Sequence, residues 1–269
     1  IQQAEKYLLQ QKQTVLQIKK LGKKSPYKPA IRPCGTQPTF MIGFPRSGTT
    51  LLDTILRTHS KIDVLEELPM SEKMISSLGH VTTISRIEDL SETETKIARD
   101  IYLKELKKYV KVGEKAVMID KLPLNILHIP LINRVFPNAK FILALRHPLD
   151  CVLSCWMQDF ELNPAMANTY ELQRTVDFYD AAMSIFKLSD ERYALDVYKV
   201  RYEDLVLDFQ ENVSDLLTFL DLEWEPELIN YQKTARARGG IYTPSYSQVV
   251  KPIYDTASYR WKYYEEYLE

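Results

Sequence analysis

The run Phe40-Met41-Ile42-Gly43-Phe44-Pro45-Arg46-Ser47-Gly48-Thr49-Thr50 constrains this chain more than any other stretch. A short apolar segment leads into a tight polar loop. The spacing of Leu51, Leu52, Ile55 and Leu56 then predicts a helix leading out. Strand, loop and helix in that order form the layout of a phosphate-binding loop. Backbone N–H groups at the helix N-terminus point at the ligand, and the helix dipole favours an anion there. Of the chain's 8 glycines, Gly43 and Gly48 bracket the loop, where backbone must approach a ligand closely. The loop departs from that of nucleotide triphosphatases. The Walker pattern carries Lys directly after its last Gly. Here Thr49 follows Gly48, and the cation is Arg46, two residues earlier.

From Thr39 onward the chain alternates short apolar segments with helical patterns. Strands are predicted at 39–43, at Ala116-Val117-Met118-Ile119, at 140–145 and at Val197-Tyr198-Lys199-Val200. Each is mostly apolar, as in strands buried on both faces, and each is followed by a helical pattern. The expected fold class is therefore α/β, a P-loop-type parallel sheet flanked by helices on both faces. Residues 69–112 and 164–192 read mainly as helix. Ligands of such sheets sit outside the carboxyl ends of the strands. The polar residues placed there are Arg46, Lys121, Arg146 and Tyr202. Three cations converging on one sheet edge point to a polyanionic ligand.

Residues 1–38 read as an N-terminal helix over 1–21, a Gly22 stop and a linker holding Pro26, Pro29, Pro33 and Pro38. That segment is expected either to be the remnant of a longer helical-repeat domain or to be a simple arm, with residues 39–269 forming the main domain. The chain opens on Ile1, so an upstream segment is left open. A net charge of -1 does not indicate bulk attraction to nucleic acid. No run of about 18 apolar residues predicts a transmembrane helix. The 3 cysteines, Cys34, Cys151 and Cys155, argue against a disulfide framework and for a reducing, cytoplasmic setting. Cys151 and Cys155 are expected to be small buried residues on one helix face, His59 to be structural and His128 to be packed. No Cys/His spacing matches a metal site.

The stretch Pro45-Arg46-Ser47-Gly48-Thr49-Thr50-Leu51-Leu52 resembles the 5′-phosphosulfate loop of the sulfotransferases that use 3′-phosphoadenosine 5′-phosphosulfate (PAPS). Leu145-Arg146-His147-Pro148, with Ser154 eight residues after Arg146, resembles the family's 3′-phosphate motif. The resemblance is closest to tyrosylprotein sulfotransferases and to bacterial sulfotransferases carrying tetratricopeptide repeats, and covers roughly residues 36 to 265. It implies PAPS as donor, 3′,5′-ADP as product and no metal. Arg46, Ser47, Gly48, Thr49 and Thr50 would hold the phosphosulfate, and Arg146 with Ser154 the 3′-phosphate. Tyr202 would lie near the adenine. Ser245, Lys251 and Arg260 match further donor-contacting positions in a C-terminal stretch that folds over the donor, with Gly239-Gly240 as its hinge. Glu67 of the pair Glu66-Glu67 matches the catalytic base, and Lys121 in Lys121-Leu122-Pro123 the transition-state cation. Arg46 and Ser245 would act in catalysis as well. The disulfide cysteines and membrane anchor of the secretory-pathway enzymes have no counterpart in these residues, and Gln158 stands where that branch has a further Arg, so a cytoplasmic bacterial-type relative is expected.

These residues fit in-line sulfuryl transfer to a hydroxyl. Glu67 would take the acceptor proton, and Arg46, Lys121, Ser245 and the loop N–H groups would stabilise charge on the sulfonate and the leaving oxygen. The acceptor expected is a peptide tyrosine, a sugar or a small molecule. No nucleic acid partner is expected, and homodimer formation is left open. Two other readings stand beside this one: a P-loop kinase transferring phosphoryl from ATP, which lacks its Gly-Lys-Ser/Thr, and a non-catalytic sulfotransferase-like binding module.

Overall fold

The computed structural model describes residues 2–22, 37–79, 83–110, 115–237 and 258–267. Its centre is β1 (Thr39–Gly43), whose five residues are all buried. Four more strands join it: β2 (Ile62–Glu66), β3 (Val117–Lys121), β4 (Lys140–Leu145) and β5 (Asp196–Arg201). All pairings are parallel, in the order β2-β3-β1-β4-β5. This is the expected α/β sheet. The chain runs from β1 outward to β2, back to β3, then across β1 to β4. The order therefore reverses at β1, and the crevice at its carboxyl end is where such sheets bind ligands.

Side-chain alternation divides the core into two layers. Phe40, Ile42, Phe141 and Leu143 face one side, where Phe40 packs within 5.9 Å of Tyr102, Phe136 and Phe141. Met41, Ile142, Ala144 and Val200 face the other. The first side is covered by α1 (Gln2–Leu21), α3 (Met70–Ser77), α5 (Glu92–Leu106), α6 (Ile129–Val135) and α8 (Leu172–Tyr193), with the short α4 (Ile84–Glu88) at its margin. The second side is covered by α2 (Thr49–Arg57), α9 (Tyr202–Leu207), α10 (Phe209–Phe219) and α11 (Tyr231–Ala237). At the binding edge, α7 (Pro148–Trp156) follows β4.

The N-terminal helix is joined to this core. Leu8, Val15 and Ile18 of α1 belong to the same buried cluster as Phe178 and Ile185 of α8. Lys12 pairs with Asp177 at 2.7 Å, and Arg174 with Glu5 at 2.8 Å. Arg192 Nη1 also donates to the Gly22 carbonyl at 2.7 Å, at the end of α1.

The strand missing from the sequence reading is β2. Ile62-Asp63-Val64-Leu65-Glu66 mixes charged and apolar residues, and it lies at the sheet edge. The four other strands lie within one or two residues of their expected bounds. The helical region after β2 is broken into α3, α4 and α5; Ser91 closes a capping box with Glu94 at the start of α5. Cys151 and Cys155 are buried free thiols on α7. Burial pushes the Cys151 thiol up to about 12. His59 is structural, its Nε2 lying 2.9 Å from the Glu223 carbonyl.

Candidate active site

The loop between β1 and α2 is shaped by close approach. A Cβ on Gly43 would lie 2.7 Å from the Ala144 carbonyl oxygen and 2.7 Å from Ser47 Oγ. Gly48 adopts φ +97°, and a Cβ there would lie 2.9 Å from the Tyr202 ring. Arg46 itself takes φ +69°, in the left-handed region that non-glycine residues seldom occupy. Such strain persists where the surroundings hold it. Here Cys155 Sγ contacts the Pro45 carbonyl at 3.2 Å, and Arg146 Nη1 donates to the Arg46 carbonyl at 3.2 Å. Ser47 Oγ is buried without a hydrogen-bond partner among the described residues. A buried hydroxyl at a helix N-terminus fits an anion with acceptor oxygens.

Two clusters flank the loop. On the first, Lys121 Nζ donates to Oε1 of Glu66 and to Oε1 of Glu67, each at 3.0 Å. The register of β2 and β3 pairs Glu66 with Lys121. Glu67 lies just beyond β2 and takes φ +52°, with its N–H donating to the Lys121 carbonyl at 2.9 Å. The Lys121 side chain is 0% exposed, that of Glu66 14% and that of Glu67 46%. Glu67, Arg46, Thr49 and Thr50 line a cleft of about 420 Å³. Its far wall is Leu122, Pro123, Leu124, Phe160 and Met166.

On the second, Arg146, Ser154 and Arg260 line one small pocket with Asp150 and Tyr264. The Arg146 guanidinium lies 5.2 Å above the Tyr202 ring. Arg46 Nε donates to Ser154 Oγ at 2.9 Å, so Ser154 bridges the loop and this pocket. Arg260 reaches the pocket because Asp150 docks the C-terminal segment. Its Oδ2 accepts the Tyr259 N–H at 2.7 Å and its Oδ1 the Trp261 N–H at 2.9 Å. Trp261 stacks on His147 at 5.1 Å. Glu203 Oε1 accepts the His147 N–H at 2.8 Å, fixing the β4–α7 turn against α9.

The structure therefore brings Arg46, Ser47, Gly48, Thr49, Thr50, Glu67 and Lys121 to one end of β1, and Arg146, Ser154, Tyr202 and Arg260 to the adjoining side. Ser245, Lys251 and the Gly239-Gly240 hinge lie outside the described residues. Sequence reasoning missed Asp150, His147 and Trp261. Asp150 sits in the first turn of α7, where an acidic residue reads as complementing the helix dipole. Its second role, accepting from a segment 109 and 111 residues away, leaves no local signal. Among the described residues no group of His, Cys, Asp or Glu is arranged to hold a metal ion. No described helix is long and apolar enough to cross a membrane.

A family model described as the sulfotransferase family matches residues 38–226. An uncharacterized protein of Aquifex aeolicus is 31% identical over 242 residues, which is 86% of this chain and 31% of that protein. Protein-tyrosine sulfotransferase 1 of Danio rerio is 24% identical over 232 residues, covering 82% of this chain and 64% of that protein. Its Homo sapiens counterpart is 26% identical over 232 residues, covering 82% and 62%. The chain thus spans less than two thirds of the length of these relatives. Two solved structures share the fold with a TM-score of 0.58. The sulfotransferase domain of a Synechococcus olefin synthase is 22% identical, covering 89% of this chain and 91% of its own. That of the curacin biosynthetic pathway is 23% identical, covering 86% and 92%. With the family model spanning more than half of the residues, the chain belongs to the sulfotransferase family.

Proposed function

We propose that this chain moves the sulfuryl group of PAPS to a hydroxyl acceptor, with Glu67 as general base. The observation that carries the reading is the convergence of Arg46, Lys121 and Glu67 at the carboxyl ends of β1, β3 and β2, beside the tight loop that opens α2. Arg46, Ser47, Thr49, Thr50 and the N-terminal N–H groups of α2 hold the 5′-phosphosulfate. The unpartnered Ser47 hydroxyl supports that fit. Arg146, Ser154 and Arg260 hold the 3′-phosphate, and Tyr202 lies beside the adenine. Ser245 and Lys251 complete the donor site from the C-terminal stretch.

In the transfer, Glu67 removes the acceptor's O–H proton as the acceptor oxygen bonds to sulfur. The bond from sulfur to the bridging oxygen breaks, and its electron pair stays on the 5′-phosphate of 3′,5′-ADP. Lys121 and Arg46 stabilise the charge on the sulfonate and the bridging oxygen. One such donor is worth roughly 3–4 kcal/mol in other enzymes, and a positioned base about 10²–10⁴-fold in rate. PAPS has no β- or γ-phosphate, which accounts for Thr49 standing where a Walker loop has Lys. The apolar wall formed by Leu122, Leu124, Phe160 and Met166 supports an acceptor that carries its hydroxyl on an aromatic or aliphatic body.

Calorimetric binding of 3′,5′-ADP against ADP tests the donor, followed by transfer from labelled PAPS to a panel of phenols, alcohols, sugars and tyrosine peptides. Clear preference for 3′,5′-ADP and a labelled product are expected. Preference for ADP with Mg²⁺ overturns the reading in favour of phosphoryl transfer.

A further inference from the structure

We propose that Glu66 is a positioning residue for the transfer: it shares the Lys121 ammonium with Glu67 and remains that cation's counter-ion when Glu67 takes the acceptor proton. The inference rests on the roles of Glu67 and Lys121 given above. No part of those roles requires Glu66.

The geometry is specific. Consecutive residues of a pleated strand point to opposite faces of the sheet. Glu66 and Glu67 are consecutive, yet both carboxylates lie 3.0 Å from one nitrogen. Two features of the backbone bring this about. The parallel register sets Glu66 beside Lys121 on the neighbouring strand. The left-handed φ of +52° at Glu67 turns the chain so that its side chain returns to the same point. Non-glycine residues seldom occupy that region, and here the turn brings the Glu67 carboxylate onto Lys121.

The two carboxylates are not equivalent. Glu67 lines the cleft and its side chain is 46% exposed, whereas that of Glu66 is 14% exposed. Glu67 therefore faces the acceptor and Glu66 faces the cation. Lys121 has three N–H donors, and Glu66 and Glu67 take two of them, leaving the third for the sulfonate. A buried ammonium needs an opposing charge. Glu67 stops supplying one when Oε2 receives the acceptor proton, and at that moment Glu66 still does. Before transfer, an ammonium bound by Glu67 alone would place its whole charge on the base and weaken it as a proton acceptor. Sharing with Glu66 reduces that effect. Among the described residues, the other charged groups that line the same cleft are Arg46 from the loop and Asp159 and Glu161 from the wall after α7. Asp120 from β3 points to the opposite face, towards Tyr102.

The test is Glu66→Gln, which keeps the shape and one acceptor oxygen but removes the charge. The expected result is a loss of roughly tenfold or more in kcat, with little change in donor Kd, and an acid limb of the pH–rate profile displaced to lower pH. Glu66→Asp, which keeps the charge, restores much of the rate. Unchanged kcat in Glu66→Gln, or a loss of rate with an unmoved acid limb and no rescue by Asp, overturns the proposal. A second arm needs no turnover: the Glu67 carboxyl carbon is titrated by NMR in the donor-free protein, wild type against Glu66→Gln. A lower midpoint in the variant supports the proposal and an unmoved midpoint defeats it. If wild-type protein transfers nothing from PAPS, the proposed function fails while this titration still decides the role of Glu66. If Glu66→Gln does not fold, the same titration and profile on Glu66→Ala serve, since that change also removes the charge.

Discussion

Arg46 Nε and Ser154 Oγ lie 2.9 Å apart, joining the β1–α2 loop to α7 across 108 residues of sequence. The sequence pattern pairs Ser154 with Arg146, as the two halves of a phosphate clamp. In the structure Ser154 belongs to both sides. It shares a pocket with Arg146 and Arg260, and it accepts from the guanidinium that faces the cleft. A ligand with anionic groups at both positions would therefore meet one connected set of cations.

Removing the Ser154 hydroxyl is expected to weaken both ends of donor binding. Hydrogen bonds to charged groups contribute about 1.5–3 kcal/mol. Ser154→Ala should then lower affinity for 3′,5′-ADP by roughly tenfold or more, and the lost bond to Arg46 should lower the melting temperature modestly. Ser154→Thr should retain most of the affinity. Calorimetry on both variants checks this; equal affinity of Ser154→Ala and wild type would remove Ser154 from the donor site.

Gly48 tests the shape of the loop separately from its charges. At φ +97° an alanine is strained, and its Cβ would press on the Tyr202 ring at 2.9 Å. That ring supports Arg146 from beneath. Gly48→Ala should cost on the order of 1–3 kcal/mol of stability and also weaken 3′,5′-ADP binding through the displaced Tyr202. Adding Tyr202→Ala to the variant should recover part of the stability, because the obstructing ring is gone. Melting curves of the single and double variants decide it; no recovery would show that the φ angle alone sets the cost.

Asp150 is expected to control how the C-terminal segment sits on the pocket. It accepts two backbone N–H groups, from Tyr259 and Trp261, and it lies 3.9 Å from Arg146 Nε. Asp150→Ala leaves both N–H groups without this acceptor, at about 1–3 kcal/mol for each group kept from water. The segment bearing Arg260 should then detach more readily. Limited proteolysis should cut near residues 258–267 sooner, and 3′,5′-ADP affinity should fall several-fold. Bound 3′,5′-ADP should slow the cleavage in wild type. Cleavage at the wild-type rate in the variant would count against the docking role.

Local patterns and distant pairings differ in how they can be read from a sequence. The loop at 43–50 and the strands around it were legible because each is a contiguous pattern: an apolar run, then glycine, cation and hydroxyls, then a helical stripe. Lys121, Arg146 and Tyr202 were legible as strand-end residues, since a parallel sheet sends all strand ends to one edge. The edge strand β2 was not, because Asp63 interrupts its apolar run and an edge strand need not be apolar throughout. Nor was the sharing of Lys121 by Glu66 and Glu67, which depends on the β2–β3 register and on one positive φ angle. The docking of residues 259–261 on Asp150 is a tertiary contact with no periodic or spacing signature.

Asp120, next to Lys121 on β3, gives a pH-dependent prediction. Its side chain points away from the site, accepting from Tyr102 Oη at 2.8 Å and Ser71 Oγ at 3.3 Å, and it is fully buried. Burial raises its pKa to about 7, against the lowering effect of those two hydrogen bonds. In the unfolded chain the same carboxyl loses its proton near pH 4. Between pH 4 and 7 the folded protein therefore binds more protons here than the unfolded one, so this group's contribution falls as pH rises through that window. The full contribution is on the order of 4 kcal/mol. His128 acts in the opposite sense. Burial lowers it to about 4, so its contribution grows as pH rises from 4 to about 6.5. Glu94 and Glu105, both lowered to about 2 by hydrogen bonds, add stability as pH rises from about 2 to about 4.5. The wild-type curve mixes these effects, and the difference from Asp120→Asn isolates one of them. The asparagine oxygen can still accept from Tyr102 and Ser71. The variant should match wild type near pH 4 and become more stable by a few kcal/mol near pH 8. Urea unfolding midpoints across pH 4 to 8 measure the difference. A gap that stays constant with pH would mean that Asp120 is ionised throughout the range, held by its two donors against the cost of burial.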